Sequence, residues 1–160
     1  LLMLVLTYLT LWIGLEGLGR VNLVFVKHIG EKTGNKNFSK ISPAEIQGHI
    51  NQITQLMVEG KVYLNENLGL KDLASRLQAD PNLISFILNN HLQSNFHDFV
   101  NRYRIEEVKN KMNDPAHKHL TLLGIGLECG FNSKTTFNRV FRQFTGCTPS
   151  QYQRNSPEST

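Results

Sequence analysis

Charge is missing from the start of this chain. Leu1 to Leu15 reads LLMLVLTYLTLWIGL and holds no Asp, Glu, Lys, Arg or His. Acidic charge is missing a second time between Glu128 and Glu158, a stretch that contains Lys134, Arg139, Arg142 and Arg154. A local cation excess of that kind suits a polyanion, the alternative being an ordinary solvated face. Cysteine is nearly absent: Cys129 and Cys147 stand alone, without a C-x-x-C or other metal spacing, which excludes a zinc module or a disulfide framework. There is no glycine-rich phosphate loop, no G-x-S-x-G, no H-E-x-x-H and no paired-carboxylate motif, so the pattern argues against a hydrolase or transferase. The histidines are scattered. His117 and His119 sit with Asp114 and Pro115 in a polar stretch that reads as a loop, and no further ligands accompany them. Neither a metal nor a cofactor is expected.

The uncharged N-terminus has a length that matters. At ~1.5 Å per residue, Leu1 to Leu15 makes ~22 Å of helix, short of the ~30 Å hydrocarbon thickness. Since the chain also begins with Leu, it reads as a fragment, with residues 1–19 as the end of a transmembrane segment. A cleaved signal peptide lacks support, because there is no basic leader or A-x-A-like site. The alternative is a buried helix of a soluble protein. Trp12 suits a membrane interface, and Arg20, Lys27, Lys32, Lys36 and Lys40 outnumber Glu16 and Glu31 beyond it. Cations beside a span mark the cytoplasmic side. Residues 20–41 read as a juxtamembrane linker, polar and rich in Gly, Asn and Lys towards its end.

A helix then starts at Ser42-Pro43-Ala44-Glu45, a capping box with Pro at the first helical position. Ile46, Ile50, Ile53, Leu56 and Met57 recur at helical spacing. Residues 42–60 therefore form either a coupling or dimerisation helix or a helix that packs on its own domain. Both readings stay open at this point.

From Leu70 onward the chain carries two helix-turn-helix patterns. The first runs from Leu70 to Leu77, breaks at Gln78 to Pro81, and resumes from Asn82 to His91. Leu70, Leu73, Ala74 and Leu77 make one apolar face, Asp80-Pro81 is an N-cap followed by Pro at N1, and Ile84, Ile87 and Leu88 face the core. The second runs from Thr121 to Cys129, breaks at Gly130-Phe131-Asn132, and resumes from Ser133 to Phe144. Leu122, Ile125 and Cys129 are its packing positions, Gly130 suits a helix end with positive φ, and Ser133 caps a helix whose Phe137, Val140, Phe141 and Phe144 point inward. Gly124 and Gly126 cost ~1 kcal/mol each relative to Ala, so this helix should be the softest part. Between the two patterns, Asn95 caps a long helix with the stripe Phe96, Phe99, Val100, Tyr103, Val108 and Met112. Thr148-Pro149-Ser150-Gln151-Tyr152 starts a short last helix, and residues 156–160 read as a disordered tail.

The run from Gly130 to Tyr152, GFNSKTTFNRVFRQFTGCTPSQY, resembles the C-terminal signature of the AraC/XylS family. Phe96 to Ile105, FHDFVNRYRI, is similar to that family's central helix. The resemblance covers roughly Tyr63 to Arg154. It implies an all-α fold over residues 61–155, two helix-turn-helix units joined by a central helix, preceded here by the end of a transmembrane helix. It implies a sequence-specific DNA-binding transcription regulator whose partner is double-stranded DNA. With the N-terminal segment, the subgroup resembled is the membrane-anchored sensor with a cytoplasmic output domain, placed at the bacterial cell membrane. A soluble regulator fragment and a helical protein-interaction module that no longer binds DNA are the alternatives. A homodimer stays open, and RNA polymerase is a partner by resemblance.

The resemblance also assigns the groove-facing positions. On the first recognition helix these are Asn82, Ser85, Phe86 and Asn89. Asn pairs with adenine, whereas Phe86 departs from the usual polar residue and either meets a thymine methyl or turns inward. On the second they are Lys134, Thr135, Thr136 and Arg139, with guanine and thymine as matching bases. Arg142 suits a phosphate. Arg102 and Arg104, off the apolar stripe of the central helix, are either phosphate contacts or structural ion pairs with Glu106 or Asp98. Two recognition helices on one rigid arm would lie ~34 Å apart, one DNA turn.

Overall fold

The computed structural model describes Phe38 and residues 41–155, all within one compact unit, Lys36–Thr160. The expected transmembrane end, most of the linker and the tail lie outside the described residues. Among the described residues there are seven α-helices and no strand: α1 (Pro43–Val58), α2 (Leu70–Arg76), α3 (Pro81–Asn90), α4 (Phe96–Asn113), α5 (Leu122–Glu128), α6 (Lys134–Thr145) and α7 (Pro149–Asn155). Short 3-10 turns, Val62–Leu64 and Pro115–His117, precede α2 and α5.

The helix starts follow from side-chain oxygens that satisfy first-turn amides. Ser42 accepts from the Glu45 amide at 3.2 Å, and the Glu45 carboxylate accepts from the Ser42 amide at 2.9 Å, closing the capping box. Asp80 caps α3, Asn95 caps α4, Thr121 caps α5 and Ser133 caps α6. Gly130 and Gly146 take the positive φ that ends α5 and α6.

The helices close around two cores. The first joins α1, α2, α3 and the first half of α4 through Ile53, Met57, Leu73, Ala74, Ile84, Ile87, Leu88, Phe99 and Val100. The second joins the other half of α4 to α5 and α6 through Ile105, Val108, Ile125, Phe131, Phe137, Val140 and Phe141, with Tyr152 of α7 packed against it. Ile105 is buried although it lies off the expected stripe. The reason is that α4 serves two cores. Its inner face turns partway along, and one continuous stripe cannot cover both.

The open question over α1 has a structural answer in part. Ile53 and Met57 are fully buried, and Ile46, Ile50 and Leu56 pack against the same cluster. The stripe is thus consumed by the helix's own domain. No helix among the described residues is long and apolar enough to cross a membrane.

Candidate nucleic-acid interface

On α6 the inward residues fall at Phe137, Val140 and Phe141, all buried. Helical geometry therefore leaves Lys134, Thr135, Asn138, Arg139, Arg142 and Gln143 in one exposed stripe. Four of the expected candidates lie in it: Lys134, Thr135, Arg139 and Arg142. Thr136 does not. It is half-buried, and its Oγ1 accepts from Ser133 Oγ at 2.9 Å while its amide donates to the same hydroxyl. The cap turns Thr136 towards the helix start, so it serves the fold. Asn138 was missed by the sequence reasoning. Its signal was the i+4 spacing from Lys134, and an Asn side chain can bridge adenine N6 and N7.

Among the described residues no carboxylate pairs with Arg139. Its Nη1 reaches Gln143 Oε1 at 3.5 Å. The cation-rich stripe thus keeps its charges for solvent or a ligand rather than for an internal ion pair.

The first recognition helix differs. Asn82 is exposed, but Ser85, Phe86 and Asn89 are half-buried. Asn89 Nδ2 donates to Ser85 Oγ at 3.3 Å, so these two hydroxyl and amide groups already satisfy each other in part. Phe86 turns inward: its ring lies 5.4 Å from Phe38 and 5.7 Å from His91, and it packs on the first core. Burial of an aromatic ring against other rings outweighs its exposure in a groove, so Phe86 leaves the list of base contacts.

Arg104 leaves the list of phosphate contacts. Its Nε donates to the Tyr63 carbonyl at 2.7 Å and its Nη2 to the Asn65 carbonyl at 2.8 Å. The guanidinium lies 5.8 Å from the centre of the Phe131 ring. Burial lowers its pKa. Its partners are backbone carbonyls rather than the expected Glu106 or Asp98. A planar fork of donors fits two carbonyls in one turn, whereas Glu106 and Asp98, two and six residues away on the same helix, do not share its face. Glu106 instead pairs with Lys109 at 2.8 Å. Arg102 remains exposed on α4.

Among the described glycines, the one in the turn of the second unit has the least room. A Cβ on Gly130 would lie 2.5 Å from the Tyr63 carbonyl and 3.0 Å from Arg104 Nε. Phe131 beside it is buried. Glu107 ties the same region down, accepting from Lys61 Nζ at 3.0 Å and from the Tyr63 hydroxyl at 3.2 Å. Burial pushes the Tyr63 phenol up to about 12, with Glu107 adding to the effect. Burial likewise pushes the Cys129 thiol up to about 12, which makes it an unreactive core residue. His117 Nδ1 lies 3.1 Å from Asp114 Oδ2, within the second 3-10 turn, and among the described residues no group of three His, Cys, Asp or Glu could hold a metal ion.

The helix-turn-helix domain family matches residues 73–155, just over half of the chain. The chain belongs to the AraC-type helix-turn-helix family. An uncharacterized HTH-type transcriptional regulator of Staphylococcus aureus is 28% identical over 138 residues, covering 86% of this chain and 17% of the relative. The regulatory protein PocR of Salmonella typhimurium is 26% identical over 98 residues, covering 61% of this chain and 31% of PocR. The chain thus spans about a sixth of the length of the Staphylococcus relative. Among solved structures, the C-terminal domain of AraT, a response regulator from Geobacillus stearothermophilus, superposes with a TM-score of 0.58 at 21% identity, covering 76% of this chain and 93% of that one. A transcriptional regulator with an AraC-type DNA-binding domain from Chromobacterium violaceum gives 0.57 at 20% identity, covering 71% and 98%. At these identities the superpositions establish the AraC-type fold.

Proposed function

We propose that this AraC-type domain binds double-stranded DNA sequence-specifically and is the output part of a longer transcription regulator. The observation that carries the proposal is the exposed stripe of α6, which presents Lys134, Arg139 and Arg142 with no acid on the helix. Arg139 and Lys134 read base edges, with Thr135 and Asn138 as neutral neighbours. Arg142 and Arg102 take phosphates. Asn82 is the exposed reader on α3, with Asn89 and Ser85 joining it once their mutual hydrogen bond opens. Because α4 carries both units, the site is an asymmetric pair of elements ~10 bp apart.

The finer placement rests on the N-terminal residues. Leu1 to Leu15 carry no charge and a basic flank follows. This supports an anchor in the bacterial cell membrane with the DNA-binding domain on the cytoplasmic side. A homodimer and a contact with RNA polymerase rest on the family resemblance alone.

Selection from a randomised duplex pool, followed by binding of the selected duplex across a salt series, tests the DNA reading. The expected result is an enriched two-element site and a log–log salt slope of about −0.9 per phosphate neutralised. A pool that stays random, or binding indifferent to salt, points to a protein-interaction module instead. Fractionation of the intact protein tests the anchor: recovery without detergent in the soluble fraction overturns it.

A further inference from the structure

Gln143 sits one turn beyond Arg139 on α6 and reaches the first turn of α4. Its Oε1 accepts from Arg139 Nη1 at 3.5 Å, and its Nε2 donates to Asp98 Oδ1 at 3.3 Å. The amide is oriented by its own chemistry, with oxygen towards the cation and NH2 towards the carboxylate. Asp98 is itself held. Its Oδ2 accepts from Asn95 Nδ2 at 2.7 Å, and its amide donates to Asn95 Oδ1 at 2.9 Å. Asn95 is the N-cap of α4, a short loop beyond the end of α3. A hydrogen-bonded chain therefore runs Asn95–Asp98–Gln143–Arg139, from the loop that follows the first recognition helix to the guanidinium on the second.

We propose that Gln143 is a positioning residue for Arg139, setting the direction of its guanidinium from Asp98 on the central helix; this rests on the DNA-binding reading given above. Two consequences follow from the chemistry. An arginine side chain loses much rotamer freedom when it engages a base pair, and a partner that already restrains it lowers that cost. Asp98 is also the acid that α4 brings towards this end of α6. With Gln143 between them, the carboxylate receives a neutral donor and does not draw the guanidinium into an ion pair. Arg139 stays held and, among the described residues, without a carboxylate, the state a base reader needs. The part played by Gln143 is thus indirect: it acts through Arg139 and not by contact with a base.

A double-mutant cycle on the full chain tests this. Parent, Gln143→Ala, Arg139→Ala and the double variant are titrated with the selected duplex and with duplexes changed at single base pairs. The expected result is that Gln143→Ala lowers discrimination about three- to tenfold at the base pair where Arg139→Ala acts, leaves other positions unchanged, and adds nothing in the Arg139→Ala background. The midpoint of thermal unfolding stays within about 2 °C of the parent, since Gln143 is exposed. If Gln143→Ala acts equally in both backgrounds, Gln143 touches DNA itself and the proposal fails. If Arg139-dependent preference survives Gln143→Ala intact, the proposal fails alone. If the parent selects no duplex, the DNA-binding reading fails and takes this inference with it.

Discussion

The two helix-turn-helix units share a plan and differ in what each invests at its turn and its recognition helix. In the first, the turn between α2 and α3 lies open: Gln78 adopts a φ of 51° and is exposed. Its recognition helix, PNLISFILNN, carries no charge. In the second, the turn is buried beneath α4 and the Val62–Leu64 segment, with Gly130 against the Tyr63 carbonyl and Phe131 beneath Arg104. Its recognition helix carries three cations. Charge and rigidity thus go together. A cationic helix that must meet base edges at fixed distance gains from a locked base, because every loose degree of freedom is paid when DNA binds. A neutral helix contributes shape and a few amide hydrogen bonds, and it tolerates an open turn.

The largest expected contrast lies in the turns. Gly130→Ala places a Cβ 2.5 Å from a carbonyl at a φ of +87°. The left-handed penalty and the clash together cost ~2–5 kcal/mol. Phe131→Ala removes a buried ring at a cost of ~3–5 kcal/mol. At the equivalent place in the first unit, Gln78→Gly relieves the left-handed strain and gains up to ~1 kcal/mol. Urea unfolding of the three variants measures this, and similar losses at both turns would abolish the asymmetry.

DNA binding sharpens the comparison next. Arg139→Ala costs ~1–3 kcal/mol on the selected duplex and relaxes preference at one base pair, whereas Asn82→Ala costs ~0.5–1.5 kcal/mol. Arg142→Ala weakens all duplexes alike and reduces the salt slope by about one unit. Titrations at several salt concentrations separate these, and an Asn82 loss as large as that at Arg139 would make the two helices equal readers.

The two glycines of α5 divide in a way their sequence does not show. A Cβ on Gly126 would meet the Phe137 ring at 2.9 Å, whereas on Gly124 it would meet Thr121 Oγ1 at 3.3 Å. Gly126→Ala is expected to cost ~1–3 kcal/mol despite the better helix propensity of Ala. Gly124→Ala changes stability by less than ~1 kcal/mol. Thermal unfolding of both checks this. The expectation of a soft α5 counted both glycines as losses, but Gly126 permits the close approach of α5 to α6 and so belongs to the packing.

The smallest expected effect is on acid stability. The backbone hydrogen bond from Ser42 holds Glu45 below its usual 4.5, and the hydrogen bond from Lys111 does the same for Glu128. Both carboxylates are ionised more readily in the folded chain than in the unfolded one. Their contribution is complete above pH 4.5 and is lost as pH falls through the lowered folded values. The melting temperature should therefore decline below pH 4.5, with a shallower decline in Glu45→Gln. Identical profiles for parent and variant would remove the capping box from the account.

How far the sequence reached depends on the range of the forces involved. Caps and helix starts are local, and Ser42, Asp80, Asn95 and Ser133 announced them because a side-chain oxygen and an amide a few residues away suffice. The inner faces of α3 and α6 were legible for the same reason, since 3.6-residue periodicity says which side chains share a side, whereas Phe86 and Thr136, read as outward, are half-buried. That put Lys134, Thr135, Thr136 and Arg139 together with Arg142 a turn further on, and all but Thr136 lie on one exposed stripe. The sequence by itself thus determined the helices, their order and the cationic surface. Tertiary structure alone decided that Arg104 binds carbonyls some forty residues away, that Phe86 turns to Phe38, that Ile105 enters a second core and that Gln143 meets Asp98. Each of these is a contact between distant segments, and its energy depends on a distance that no local pattern of residues encodes.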